Sequence, residues 1–107
     1  MDSIEDLAIY HQPITDTFKQ PDSHEQWLQL ALSSEQVKTF EQQGFIAGIP
    51  VLDSDQVQCL RQQLDRLMNP NHPRNSLFYE YHVDESEDPD TVLFHALGGW
   101  RIEKGFH

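Results

Sequence analysis

His82-Val83-Asp84 is the segment of this sequence best suited to metal chemistry. A histidine and a carboxylate two residues apart on a strand project from one face and can grip a single cation together. A non-haem iron(II) centre needs that pair and a second histidine, leaving three coordination positions for a co-substrate and oxygen. His95 and His107 can supply the second imidazole, and Arg101 is the nearest cation able to receive a co-substrate carboxylate. The competing structural reading places His82 at a sheet rim and Asp84 at the start of an acidic turn. Asp84 adjoins Glu85, Glu87 and Asp88, a solvated run, whereas metal ligands must be held to about 0.5 Å by surrounding partners. A three-residue pattern also recurs by chance. No residue is therefore assigned from sequence as catalytic, cofactor-binding or metal-ligating.

Other chemistries have less support. The chain carries no glycine-rich phosphate loop, no paired-cysteine zinc spacing and no nucleophile elbow. Its single cysteine, Cys59, cannot close an internal disulfide and falls on a helical apolar pattern, where a small buried thiol is the ordinary occupant, so it is expected in the core and not as a nucleophile. Phe78, Tyr79, Tyr81 and Trp100 could line a pocket, but aromatic residues of this kind more often fill a core. Trp100 with Arg101 suggests a cation–π contact of structural value.

The elements that would position these groups can be read from capping and periodicity. Ser33 and Gln36 form a capping box preceded by the staple residue Leu32, with Val37 and Phe40 on the inward face, and Gly44 supplies the left-handed stop. Phe45 to Ile49 is an apolar run between Gly44 and Pro50, too short for a helix, and is expected to be a strand. Asp53 and Gln56 repeat the capping pattern, and Val57, Leu60, Leu64 and Leu67 recur at helical spacing as one apolar stripe. Two prolines in Asn69-Pro70-Asn71-His72-Pro73 end that helix. Leu77 to Val83 alternates as a strand with Phe78 on one side and Tyr79 and Tyr81 on the other. Asp84 to Asp90 reads as a solvated turn; in Thr91 to Leu97, before Gly98-Gly99, Val92, Leu93 and Phe94 favour a strand while His95, Ala96 and Leu97 would extend a helix capped by Asp90, and the strand is the preferred reading. Residues 1–30, including Ile4, Leu7, Ile9 and Phe18, sustain no period and are expected to form an acidic, partly disordered lead-in arm, with one or two helical turns over His24 to Leu32.

Composition bounds the partners. A chain of 107 residues suits one domain, and its 37% hydrophobic content lies below the ~45–50% usual for globular chains. Eighteen acids against seven Lys and Arg give a formal charge of -11, which repels phosphate backbones and anionic lipid headgroups, so neither nucleic acid nor a membrane is an expected partner. The N-terminus carries acids where a secretory signal carries Lys or Arg, and the expected location is cytoplasmic.

The order LSSEQVKTFEQQGF, IAGIPVL, SDQVQCLRQQLDRL resembles the opening of the phytanoyl-CoA dioxygenase-like family of iron(II)- and 2-oxoglutarate-dependent oxygenases, and NSLFYEYHVDESEDPDTVLFHALGGWRIEKGFH looks like its continuation. The resemblance covers about Leu32 to His107. It implies an α+β chain in which residues 31–107 are the N-terminal portion of a double-stranded β-helix (jelly-roll) oxygenase. It also implies that the His-x-Asp pair, the distant second His and the Arg for 2-oxoglutarate lie beyond the matched region. On this reading His82 and Asp84 inherit no ligand role, iron(II) and 2-oxoglutarate belong to the full-length parent, and the chain alone needs no cofactor and is inactive. Strand edges left unpaired would then favour self-association or pairing with the missing C-terminal portion. Two other readings stand beside it: a small acidic protein-interaction module without catalysis, and a miniature metal enzyme built on His82, Asp84 and His95.

Overall fold

The computed structural model describes residues 5–107; Ile4, the first apolar residue of the expected arm, lies outside them. The described chain mixes short helices with one small antiparallel sheet, consistent with an α+β chain. It divides into two compact units, one formed by residues 19–53 and the other by the described residues up to Phe18 together with Ser54–His107.

In the 19–53 unit, Ser23 accepts the Gln26 N–H at 3.2 Å and starts a short helix, α1 (His24–Gln29). The second helix, α2 (Ser34–Gln43), carries the full capping box: Ser33 Oγ accepts from Gln36 N at 3.1 Å and Gln36 Oε1 accepts from Ser33 N at 2.8 Å. Gly44 ends it at φ +79, a conformation that a Cβ would penalise. The strand expected over Phe45 to Ile49 does not form. These residues join no ladder, and Gly48 turns the chain at φ +76, outside the strand region. Apolar content without a hydrogen-bonded neighbour is not enough to make a strand. No residue of this unit is buried; Trp27, Phe40 and Phe45 are 55%, 51% and 62% exposed.

The other unit is organised by α3 (Ser54–Leu67), which begins one residue after Asp53. Its inward face is rotated from the expected leucine stripe. Leu67 is buried and Val57 and Leu60 half-buried, but Leu64 is exposed and Gln63 takes the buried place instead. Gln63 can occupy that place because its amide is satisfied: Oε1 accepts from Gly105 N at 2.5 Å and Nε2 donates to Cys59 Sγ at 3.3 Å. Gly105 is the residue that allows this approach, since a Cβ there would lie 2.5 Å from Gln63 Oε1. The buried apolar residues among those described are Leu7, Leu67 and Ile102.

The sheet comprises β1 (Glu80–His82) and β2 (His95–Leu97), antiparallel, with Glu80 opposite Leu97, Tyr81 opposite Ala96 and His82 opposite His95. Both strands are shorter than the apolar runs suggested. Residues 75–77 form a 3-10 turn and Phe78 follows as its cap, so strand alternation starts only near Glu80. That offset corrects the expected sidedness. Phe78 packs on Tyr81, ring centres 4.9 Å apart, and Tyr81 meets Phe94 edge-on, whereas Tyr79 is 67% exposed beneath the Arg101 guanidinium. The cation–π partner of Arg101 is thus Tyr79. The acidic segment is a turn as expected: Asp84 Oδ1 accepts from Ser86 N and Leu93 N, both at 2.9 Å, and Asp88 accepts from Asp90 N and the Thr91 hydroxyl.

Candidate functional site

The register of the hairpin creates the densest group of potential metal ligands among the described residues. His82 and His95 are direct cross-strand partners, so their imidazoles leave the same face, and Glu80, two residues before His82, joins them there. One ligand atom from each of Glu80, His82 and His95 lies within 4.8 Å of the other two. The imidazole rings stack at 5.4 Å with an interplanar angle of 27°. His82 Nε2 is 2.8 Å from Glu80 Oε1, and His95 Nδ1 is hydrogen-bonded to Glu85 at the start of the acidic turn. The side chains of Glu80, His82 and His95 are 44% to 46% exposed, so the group is open to water and to ions.

Of the candidates weighed in the sequence, the structure brings His82 and His95 together and leaves Asp84 apart. Asp84 is absent from the group, because Leu93 N and Ser86 N bind its carboxylate, and these two backbone bonds hold its carboxyl below the usual carboxylate range. Glu80 takes its place. His107 is also elsewhere: its Nδ1 lies 3.2 Å from the Trp100 carbonyl and its ring touches Tyr10 and Trp100. Glu80-Tyr81-His82 has the same two-residue spacing as His82-Val83-Asp84, so both carboxylates were visible in sequence. Only the offset of the strand start separates the carboxylate that faces the imidazoles from the one that closes the turn.

Arg101, the residue nearest in sequence for binding a co-substrate carboxylate, is engaged. Its guanidinium bonds Asp6 at 3.2 and 2.5 Å and the Leu77 carbonyl at 2.8 Å, and it covers the Tyr79 ring at 4.6 Å. That guanidinium, with the Ala8 N–H, holds the Asp6 carboxyl below its usual range. Iron(II) with 2-oxoglutarate requires a metal triad beside a free cation in a site that excludes water. The exposed imidazole face and the committed Arg101 do not fit that requirement, although the three side chains suit a divalent ion alone.

Two concavities flank α3. One, of about 580 Å³, is lined by Arg66, His72, Arg74, Glu103 and Lys104 among others. Arg66 forks onto Glu103 at 2.8 and 2.9 Å, His72 approaches the same carboxylate at 3.3 Å, and Arg74 donates to the Ile102 carbonyl at 2.9 Å. Burial pushes the Glu103 carboxyl up, but the hydrogen bonds from Arg66 and His72 outweigh it and leave the group below its ordinary range. These groups fasten the C-terminal segment to α3. The other concavity, of about 300 Å³, is an apolar groove between α3 and the hairpin, lined by Leu64, Leu67, Phe78, Phe94, Trp100 and Phe106.

Comparison with protein families, with curated proteins and with solved structures finds no match to this chain. Among the described residues no helix is long and apolar enough to cross a membrane.

Proposed function

We propose that this chain is the front portion of a phytanoyl-CoA dioxygenase-like oxygenase with a double-stranded β-helix, contributing scaffold and no catalytic group. The observation that carries this reading is the apolar groove between α3 and the hairpin, in which Leu64, Trp100 and Phe106 remain 38% to 40% exposed beside a small buried core. Exposed apolar surface of this kind calls for a cover, and further strands of the same polypeptide are the cover that the resemblance implies. The capped helix α2 and the following helix α3, in their expected order, add support. Iron(II), 2-oxoglutarate and oxygen supply the hydroxylating chemistry of such a parent enzyme, acting on a small organic substrate. The residues of this chain hold the groove and the α3 junction in place.

The same groove favours a second reading, an acidic interaction module whose cover is a separate protein chain. The coding sequence after the His107 codon separates the two. A continuing frame with another His-x-Asp, a later His and an Arg supports the oxygenase, and an immediate stop codon supports the module. Supplied with iron(II) and 2-oxoglutarate, the 107-residue chain is expected to form no succinate, and measured turnover would overturn the assignment of a purely scaffolding role. The uncovered groove is further expected to bind a solvatochromic apolar dye and to promote self-association. A strictly monomeric chain that excludes the dye and melts cooperatively would count against both readings.

A further inference from the structure

We infer that Glu80, His82 and His95 form a binding site for one divalent transition cation that bridges β1 and β2. The inference stands apart from the oxygenase reading, because it concerns neither 2-oxoglutarate nor oxygen.

Three independent features of the hairpin point to it. The register sets His82 opposite His95, with ligand atoms of both and of Glu80 mutually within 4.8 Å. Two imidazoles and one carboxylate suit zinc(II), cobalt(II), nickel(II) or copper(II), while magnesium and calcium prefer oxygen alone. Glu85 accepts from His95 Nδ1 and so leaves Nε2 for coordination, the carboxylate–histidine–metal arrangement that orients ligating imidazoles elsewhere. In the bound form His82 carries its proton on Nδ1, and Nε2 and Glu80 Oε1 take the ion between them. Because all three side chains are exposed, small rotamer changes can bring them to the ~2.0–2.1 Å metal–ligand distances that zinc requires. The formal charge of -11 favours approach of a cation, and the adjoining acidic turn adds to that field locally. Three protein ligands leave at least one position for water, so the ion would remain accessible to small anions or a further donor.

Calorimetric titration of the untagged chain with zinc(II) at neutral pH tests the site. We expect one ion per chain, binding weakened at least about tenfold by His82→Ala and by His95→Ala, a loss of similar order for Glu80→Gln, and a loss of about tenfold for Glu85→Gln, which removes the acceptor that orients His95. His24→Ala, in the other unit, should bind as the unaltered chain does. Absence of binding, undiminished binding in the His82→Ala/His95→Ala double variant, or one ion per two chains would each overturn the site. If a variant fails to fold, the imidazole resonances of the unaltered chain decide the matter. Selective shifts of two of the six histidines support the site, and equal perturbation of all six overturns it.

Discussion

His72 and His82 each face a glutamate, at 3.3 and 2.8 Å, yet the two pairs have different physical roles. At the α3 junction the His72 and Glu103 side chains are only 11% and 10% exposed, and both oxygens of Glu103 are taken by the Arg66 fork. On the hairpin, His82 and Glu80 are 45% and 46% exposed, and a second imidazole lies alongside. The first carboxylate is enclosed and both of its oxygens already accept hydrogen bonds, so the pair holds structure together. The second is open and keeps capacity for an added cation. Residue type alone does not separate a fastening from a ligand set; the saturation of the lone pairs does.

The largest expected difference between the regions is in stability. Glu103→Ala removes the acceptor of three donors at the junction and should cost about 2 kcal/mol, below the 3–5 kcal/mol of a fully buried pair because Arg66 is half exposed. Denaturant unfolding measures this, and zinc affinity should be unchanged. A loss under ~0.5 kcal/mol would show that the junction is no more structural than the hairpin face and remove the contrast.

A smaller effect should appear in acid. The Glu103 carboxyl titrates below its ordinary range in the folded chain. The unfolded state therefore takes up the proton first as pH falls, and the stabilisation, complete above the ordinary carboxylate range, is lost as pH drops through the folded value. Glu103→Gln should flatten that part of the stability–pH curve relative to the unaltered chain. An unchanged curve would assign the acid sensitivity to other carboxylates, of which Asp6, Asp84 and Asp88 are also held below their usual range.

How much of this contrast was legible in the sequence follows from the range of the interactions concerned. Ser33 with Gln36, Gly44 and the solvated turn after Val83 are set by neighbours within a few residues, and all three appear where capping and turn chemistry place them. The α3 helix was legible but its facing was not. The burial of Gln63 rather than Leu64 depends on the Gly105 N–H, 42 residues away. The grouping of Glu80 with His82 and His95 was hidden for a related reason. A two-residue hairpin turn would have fixed the register from sequence, but 12 residues separate the paired His82 and His95. Which carboxylate meets the imidazoles depended on a strand start that the aromatic run Phe78 to Tyr81 did not mark.

The smallest expected effect is also the sharpest test of the comparison. His82→Ala, measured in the presence of a chelator, removes an exposed hydrogen bond to Glu80 and an exposed stacking contact with His95. Exposed ion pairs and surface substitutions are generally worth little, so the metal-free change should stay within about 0.5 kcal/mol. With saturating zinc the unaltered chain should gain stability as RT ln(1 + [L]/Kd), and the variant should lose nearly all of that gain. The same substitution is then almost silent without the ion and costly with it, whereas Glu103→Ala is costly under both conditions. If metal-free His82→Ala proved as damaging as Glu103→Ala, the hairpin imidazole would be a fastening like His72, and its openness to water would carry no consequence for binding.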